Sequence, residues 1–150
     1  MDMDMRAGYD PLTIAEGVAE FVVLAELSTA LSERLVGWST DGADPDSSAV
    51  MASLGARLAE HSTWWTERIA ESVLLDGERT TASASGSGRL AEVLGLLDVE
   101  GSDRTAAVVP VLERLMAYLG ALTERLSPVG DAPARRTIRL VLADLEDRPR

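Results

Sequence analysis

The chain has 150 residues, 46% of them hydrophobic and 26% charged, and its 14 basic residues against 25 acidic ones give a net charge of −11. This length and composition are typical of one globular domain. Since there is no cysteine, no lysine and only one histidine, thiol nucleophiles, disulfides, thiolate metal sites, lysine Schiff bases and any single-chain site with two imidazoles are excluded.

The charge, the N-terminal sequence and the lengths of the apolar runs together predict a cytoplasmic protein without a nucleic-acid or membrane partner. Nucleic-acid binding draws most of its affinity from phosphate contacts and needs a basic surface. The most basic stretch here, Arg135, Arg136 and Arg139, is followed by acidic residues. The acidic N-terminus MDMDMRAGYD is unlike a signal peptide, and no apolar run approaches the ~20 residues that cross a bilayer.

Apolar residues recur at helical spacing in the first half of the chain, where we predict two long helices. The first begins at Asp10, an N-cap followed by Pro11, and ends near Trp38. The second runs from residues 46–48 to about residue 75. Their predicted apolar stripes are Ile14, Val18, Phe21, Leu24, Ala25, Leu31 and Leu35, and then Met51, Leu54, Leu58, His61, Trp65, Ile69 and Val73.

The middle of the chain changes composition. Residues 76–88 contain the stretch GERTTASASGSG, which predicts a flexible crossover long enough to reach from one end of a helical bundle toward the other. A short helix is expected to follow over residues 89–97.

Two further helices are predicted in the second half. The third long helix runs from residue 102 or 103 to about 126, and Pro110 inside it predicts either a kink or a true start at Val109. The fourth begins at Asp131, with Pro133 in its first turn, and ends near residue 147. Their core seams are Val108, Leu112, Leu115, Leu119, Leu122 and Leu126, and then Ile138, Val141, Leu142 and Leu145. Four amphipathic helices with one long connection indicate an all-α four-helix bundle.

Glu26 and His61 are the candidate catalytic pair. Glu26 has small and apolar helical neighbours, and His61 lies on the inward seam of the second helix beside Trp65. If the first two helices pair antiparallel, the carboxylate and the imidazole could meet and form a general base. The alternatives are a Glu that reaches solvent or pairs with an Arg, and a hydrogen-bonded core histidine.

Four other side chains are candidate ligand contacts. Trp64 and Trp65 point about 100° apart on a helix, so one can fill the core while the other lies at a groove or a subunit interface. Tyr118 could send its hydroxyl to a polar spot, and Arg139 could meet Glu26 or a bound anion. Core or dimer packing is the alternative for the tryptophans.

Two stretches, SLGARLAEHSTWWTERI at 53–69 and LSPVGDAPARRTIRLVLADLED at 126–147, resemble segments of ferritin-like helical proteins from high-GC bacteria. The resemblance covers nearly the whole chain and implies a ferritin-like four-helix bundle with a long crossover. Ferritin-like dimetal sites use Glu-x-x-His from two helices, and no Glu-x-x-His occurs here. We therefore predict no metal, no cofactor and no redox activity.

These patterns leave two hypotheses for function. One is a metal-free bundle that binds a small apolar ligand or a protein partner. The other is a non-redox enzyme of secondary metabolism, with His61 as acid and base, Glu26 as its orienting group, and Tyr118 or Arg139 as the electrophilic partner. Since Trp64 and Trp65 are adjacent and one must point away from the core, we also expect a homodimer.

Overall fold

The computed structural model describes residues 11–69 and 75–147, and these form helices and connecting loops with no strand. The helices are α1 (Ile14–Thr40), α2 (Ser48–Glu67), α3 (Asp76–Leu96), α4 (Arg104–Thr123) and α5 (Ala132–Glu146), with a 3-10 turn at Gly101–Asp103 before α4. The prediction of an all-α chain is confirmed.

Side-chain contacts between α1, α2 and α5 fix the relative directions of these helices. Ser62 hydroxyl on α2 donates to the Ala25 carbonyl of α1 at 3.0 Å, whereas Ser32, seven residues further along α1, donates to the Gly55 carbonyl at 2.7 Å. The two helices are therefore antiparallel. In the same way α5 runs antiparallel to α2, because His61 meets Asp144 and residue 57 meets residue 147.

The long helices α3 and α4 run in opposite directions beside α1. Ser83 on α3 contacts Glu26 on α1, and the later Leu94 carbonyl accepts from Arg34, so α3 is parallel to α1. Arg104, at the start of α4, contacts Asp41 at the end of α1, whereas Tyr118 contacts residue 20. Helix α4 is therefore antiparallel to α1.

The main core is built from α1, α2, α4 and α5, and α3 packs against its outside. The predicted seams of α2, α4 and α5 point inward, apart from Val73, which lies outside the described residues. The largest fully buried side chains come from these four helices and from Leu97, which directly follows α3: Leu24, Leu31, Leu35, Met51, Leu58, His61, Trp65, Leu97, Leu112, Leu119, Ile138 and Leu145. Helix α3 contributes no side chain to this buried set, and its Ala82 instead forms a small separate cluster with Val18 and Val22.

The start of α1 differs from the prediction. Thr13, not Asp10, caps the helix, since its hydroxyl accepts from the Glu16 amide at 3.1 Å and the Glu16 carboxylate accepts from the Thr13 amide at 3.0 Å. This reciprocal capping box satisfies two amides that the helix leaves without partners. Asp10 lies outside the described residues. Ile14, expected on the apolar stripe, is 72% exposed because it lies in the first turn, beyond the core.

The flexible crossover predicted at residues 76–88 is wrong, and so is a separate short helix after it. Both stretches belong to the single helix α3. Its glycines and serines have poor helix propensity, but only Ala82 and Gly86 of this helix are buried, and small residues there let it lie close against α1. Tertiary packing therefore outweighs the poor local helix propensity in this segment.

The ends of α2 and α4 also differ from the prediction. Helix α2 ends at Glu67 rather than near residue 75, and α4 ends at Thr123 rather than near 126, although Leu126 remains buried. A start of α4 at Val109 is wrong, because the helix begins at Arg104 and Pro110 lies inside it. Pro110 is exposed.

Residues Gly101–Thr123 form the one described stretch that is long and apolar enough to cross a membrane by length and composition alone. The seam of this stretch, from Val108 to Leu122, is buried against the other core helices. A core helix of a water-soluble bundle has the same composition.

Candidate functional site

An apolar cavity of about 290 Å³ lies between α1, α3 and α4. Each helix contributes residues at helical spacing, so one face of each points into the cavity. The side that α1 presents is mostly aliphatic, and α3 and α4 add aliphatic groups with two arginines and one tyrosine. The lining residues are Val23, Leu24, Glu26, Leu27, Gly86, Arg89, Leu90, Val93, Leu96, Val111, Arg114, Leu115 and Tyr118.

Gly86 sets how closely α3 approaches α1 at the cavity wall. A Cβ atom at this position would lie 3.1 Å from Val23 Cγ2, tighter than an ordinary van der Waals contact. Only glycine therefore fits here without a shift of Val23 or of the helix. Gly88, two residues later, has no atom within 4 Å of such a Cβ.

Glu26, a predicted catalytic residue, lines this cavity. Its Oε1 accepts a hydrogen bond of 2.5 Å from the Ser83 hydroxyl of α3. The bond ties α3 to α1 at the edge of the cavity. Glu26 therefore stabilises the contact between α1 and α3 at the cavity wall, and its carboxylate already has a hydrogen-bond partner.

Tyr118, a predicted ligand contact, lines the same cavity from α4, and its hydroxyl donates to Glu20 Oε2 of α1. Burial raises the pKa of Glu20, and the positive charges of Arg125 and Arg89 act against this rise. A carboxylate that accepts from a phenol is kept in place by the bond, so Tyr118 joins α4 to α1 at one end of the cavity.

Arg89 on α3 and Arg114 on α4 also line the cavity, and both are exposed. In the described part of the chain neither forms an ion pair with a carboxylate, although Arg89 acts electrostatically on Glu20. Two guanidinium groups without an ion-pair partner thus border an apolar cavity in a chain of net charge −11.

His61 lies elsewhere, in the contact between α2 and α5. Its side chain is 1% exposed, and Nε2 lies 2.8 Å from Asp144 Oδ2. The ring is tilted against Trp64, with 5.2 Å between the ring centroids. Arg57 completes the contact by donating to the Asp144 carbonyl and to Asp147 Oδ2.

The pKa of His61 is lowered because burial disfavours the imidazolium, while the hydrogen bond and charge of Asp144 oppose that effect. The charge of Glu60 also raises the pKa, and that of Arg57 lowers it. A neutral ring that donates from Nε2–H to the carboxylate has its second nitrogen as an acceptor, and the buried Nδ1 has no protein hydrogen-bond partner. This arrangement is that of a core histidine.

The structure does not join Glu26 and His61. Glu26 faces Ser83 on α3, whereas His61 faces Asp144 on α5, so the predicted orienting carboxylate of His61 is wrong. Helices α1 and α2 do pair antiparallel, the condition for such a contact, but the two side chains leave their helices on different sides.

The remaining candidates lie away from the cavity. Trp65 is 1% exposed and stacks on Phe21 with 6.1 Å between centroids, which makes it the core member of the tryptophan pair. Trp64 is half-buried. Arg139, a predicted partner of Glu26 or of a bound anion, is exposed, and α5 contributes no residue to the cavity that Glu26 lines.

Sequence reasoning missed Arg89, Arg114 and Asp144. The composition of residues 76–88 predicts a linker and hides Arg89, although Gly86, Leu90 and Val93 have helical spacing around it. Asp144 was visible as the residue beside Leu145 and three after Val141, at the margin of the apolar stripe. An acid at a stripe margin is a natural partner for an inward histidine.

Among residues 11–69 and 75–147, no group of three or more acidic or histidine side chains is placed to hold a metal ion. Comparison of the chain with protein-family models, with curated proteins and with solved structures gives no match.

Proposed function

We propose that this protein is a small-molecule-binding helical bundle and that its ligand occupies the cavity between α1, α3 and α4. The observation that carries the proposal is the cavity itself. It is apolar inside, it is bordered by polar groups at its edges, and it lies under a helix that is not part of the main core. Ligand sites in proteins have this combination of apolar lining and few polar groups.

The volume limits the size of the ligand. An engineered apolar cavity of ~150 Å³ holds one benzene molecule, so about 290 Å³ holds a ligand of about twelve non-hydrogen atoms. Such a ligand is expected to bind with a Kd of ~0.05–1 mM when it makes apolar contacts alone.

The enzyme hypothesis draws less support from the geometry. His61 is buried, its Nε2 is bonded to Asp144, and it lies outside the cavity. Glu26 is bonded to Ser83. A general base must reach a substrate proton within about 3 Å or through one water, and a ring that is 1% exposed offers no such access.

The helix directions support a ferritin-like bundle of α1, α2, α4 and α5 as part of this proposal. Since α2 and α4 run in the same direction, the segment between them must connect opposite ends of the bundle. Helix α3 spans this distance. The long crossover of this arrangement is then a helix, and the cavity lies beneath it.

We retain two further predictions from the sequence, a cytoplasmic location and a homodimer formed through α1 and α2. The half-buried Trp64, together with the exposed Val36 and Val50 on these helices, supports the second. Sedimentation at micromolar concentration should then show a dimer. A monomer alone at moderate salt would contradict it.

The binding proposal is tested with phenylbutyramide, a neutral probe of about the right size. Isothermal titration should show binding to the wild-type chain, and the melting temperature should rise with probe concentration. Leu90→Trp fills the cavity from α3 and should weaken binding about tenfold or more, because the ring occupies the ligand volume.

Ala91→Trp is the matched control, since Ala91 is an exposed residue of α3 that does not line the cavity. It adds the same side chain to the same helix and should bind the probe as the wild type does. Absence of binding to the wild type at millimolar probe, or equal loss in both variants, would overturn the proposal.

A further inference from the structure

We infer that the cavity is specific for an amphipathic anion, with an apolar body between α1, α3 and α4 and a carboxylate-like group bound by Arg89 and Arg114. This inference rests on the proposed function and names its ligand class. It depends on the juxtaposition of two arginines from different helices with one apolar cavity.

Arg89 and Arg114 form no ion pair with the described carboxylates. The ion pairs of the described residues occupy Arg57, Arg79, Arg104 and Arg125. Arg89 and Arg114 are absent from them, although acidic residues outnumber basic ones by 25 to 14. In so acidic a chain, guanidinium groups that face a cavity without an ion-pair partner are available to an external anion.

Two acidic groups lie at or beside the cavity and would repel an anion: Glu26 lines it, and Glu20 lies next to it in contact with Tyr118. Glu26 accepts from Ser83 at 2.5 Å. Glu20, the carboxylate that acts on Arg89, accepts from the Tyr118 hydroxyl, and burial raises its pKa. Each carboxylate is thus held in place by a hydroxyl group, and the cavity lining contains two arginines against one acidic residue, Glu26. This excess of positive groups favours an anion.

The planar guanidinium group donates two parallel hydrogen bonds to a carboxylate. Leu90 and Val93 of α3 line the cavity together with Arg89, and Leu115 of α4 lines it together with Arg114. An apolar body that contacts these aliphatic groups therefore places an attached carboxylate within reach of the arginines. A neutral molecule gains less from them than an anion does, and a cation is repelled.

The experiment compares phenylbutyrate with phenylbutyramide, which have nearly the same shape and differ in charge. At low ionic strength the wild type should bind the anion about tenfold more tightly than the amide, as expected for two partly exposed ion pairs. The preference should shrink as salt screens the charges.

Arg89→Gln and Arg114→Gln should each reduce the preference to about threefold, and the double variant should abolish it. Affinity for the amide should change much less than affinity for the anion in all three variants. Arg139→Gln is the matched control, because it removes the same charge from an exposed position that does not line the cavity. It should keep the full preference.

The outcomes separate the inference from the proposed function. If the amide binds and the anion shows no preference, the anion inference is overturned and the binding function stands. Equal loss in Arg139→Gln and Arg89→Gln also overturns it, because the preference would then come from net charge. If neither probe binds, the proposed function itself is overturned.

Discussion

The imidazole Nε2 of His61 and the carboxylate Oδ2 of Asp144 lie 2.8 Å apart and join the middle of α2 to the last turn of α5. The histidine side is buried and the aspartate side is one-third exposed. Two opposing effects meet here, since burial favours the neutral ring and the carboxylate favours the charged one. The lowered pKa shows that burial dominates.

Replacing Asp144 with Asn should lower the pKa of His61 further, because the charge and hydrogen bond that raise it are removed or weakened. The chain has one histidine, so its imidazole proton signal in NMR titrations reports this pKa directly. Glu26→Gln is the control and should leave the value unchanged. A larger shift of the His61 pKa in Glu26→Gln than in Asp144→Asn would indicate that Glu26, and not Asp144, is the partner of His61.

The lowered pKa of His61 also predicts that mild acid destabilises the chain. The unfolded state binds the proton from about pH 6.5, the ordinary value for histidine, whereas the folded state binds it only at lower pH. The free energy of unfolding therefore decreases as the pH falls below about 6.5 and levels off below the folded pKa.

Denaturant unfolding of the wild type and of His61→Gln, followed from neutral pH to pH ~5, measures this. The wild type should lose stability over that interval, and the variant should lose less of it. Parallel curves for the two proteins would show that His61 does not contribute to the pH dependence.

The contact between Asp41 and Arg104 fastens the end of α1 to the start of α4. Arg104 Nη1 and Nη2 donate to the two carboxylate oxygens at 2.9 and 2.5 Å, and the guanidinium lies 4.9 Å from the centroid of the Trp38 ring. The Arg104 hydrogen bond, followed by the one from the Ala43 amide, lowers the pKa of Asp41 from 3.8 to about 2.

A carboxyl with a lowered folded pKa stabilises the chain above its unfolded pKa, and this stabilisation is lost as the pH falls from 3.8 toward 2. Asp41→Asn should therefore destabilise the chain at neutral pH, and its difference from the wild type should narrow in acid and at high salt. Denaturant midpoints measure the difference. Asp46→Asn, at an exposed position without an ion pair in the described residues, should change the midpoint little.

Much of this fold follows from apolar periodicity alone. The apolar residues at helical spacing in α4 and α5 are buried as predicted, because a helix with a wide apolar stripe packs that stripe against the core. Examples that are fully buried are Leu112, Leu119, Ile138 and Leu145. The partner of His61 does not follow from periodicity. The direction in which His61 points depends on how α2 is rotated about its axis. A rotation of a few tens of degrees decides whether the imidazole faces Asp144 or Glu26.

Helix α3 shows the other limit of sequence reasoning. Its glycines and serines have unfavourable intrinsic propensities, and the helix exists through contacts that are distant in sequence, such as Ser83 with Glu26 and Arg34 with the Leu94 carbonyl. Arg89 and Arg114 line the same cavity only because α3 packs beside α1 and α4 in the folded chain.

Gly55 lies where α2 packs closely against α1. A Cβ atom there would lie 2.8 Å from Val36 Cγ2 and 3.3 Å from the Ser32 carbonyl oxygen. Gly55→Ala should therefore destabilise the chain by ~1–3 kcal/mol through overpacking. Thermal and denaturant unfolding measure this.

Gly37→Ala, on the exposed face of α1 with no atom within 4 Å of its Cβ, is the control and should stabilise by ~0.5–1 kcal/mol. Adding Val36→Ala to Gly55→Ala should recover part of the loss, because it removes the closest clash. Stabilisation by Gly55→Ala itself would mean that α1 and α2 can separate without cost.

The two glycines of α3, Gly86 and Gly88, should respond differently to the same substitution. Each Gly→Ala change in a helix interior favours folding by ~0.5–1 kcal/mol, because alanine loses less backbone entropy. At Gly88 the new methyl group meets nothing, so the full gain is expected. At Gly86 it meets Val23 Cγ2 at 3.1 Å, and the contact should cancel part or all of the gain.

Amide hydrogen exchange separates these effects from global stability. Helix α3 lies outside the main core and buries only Ala82 and Gly86, so its amides should exchange through local opening rather than global unfolding. Gly88→Ala should slow exchange throughout α3 and leave the core of α4 unchanged. Gly86→Ala should slow it less, or speed it, because the methyl group pushes α3 away from α1. Equal protection in both variants would show that α3 does not depend on its close contact with Val23.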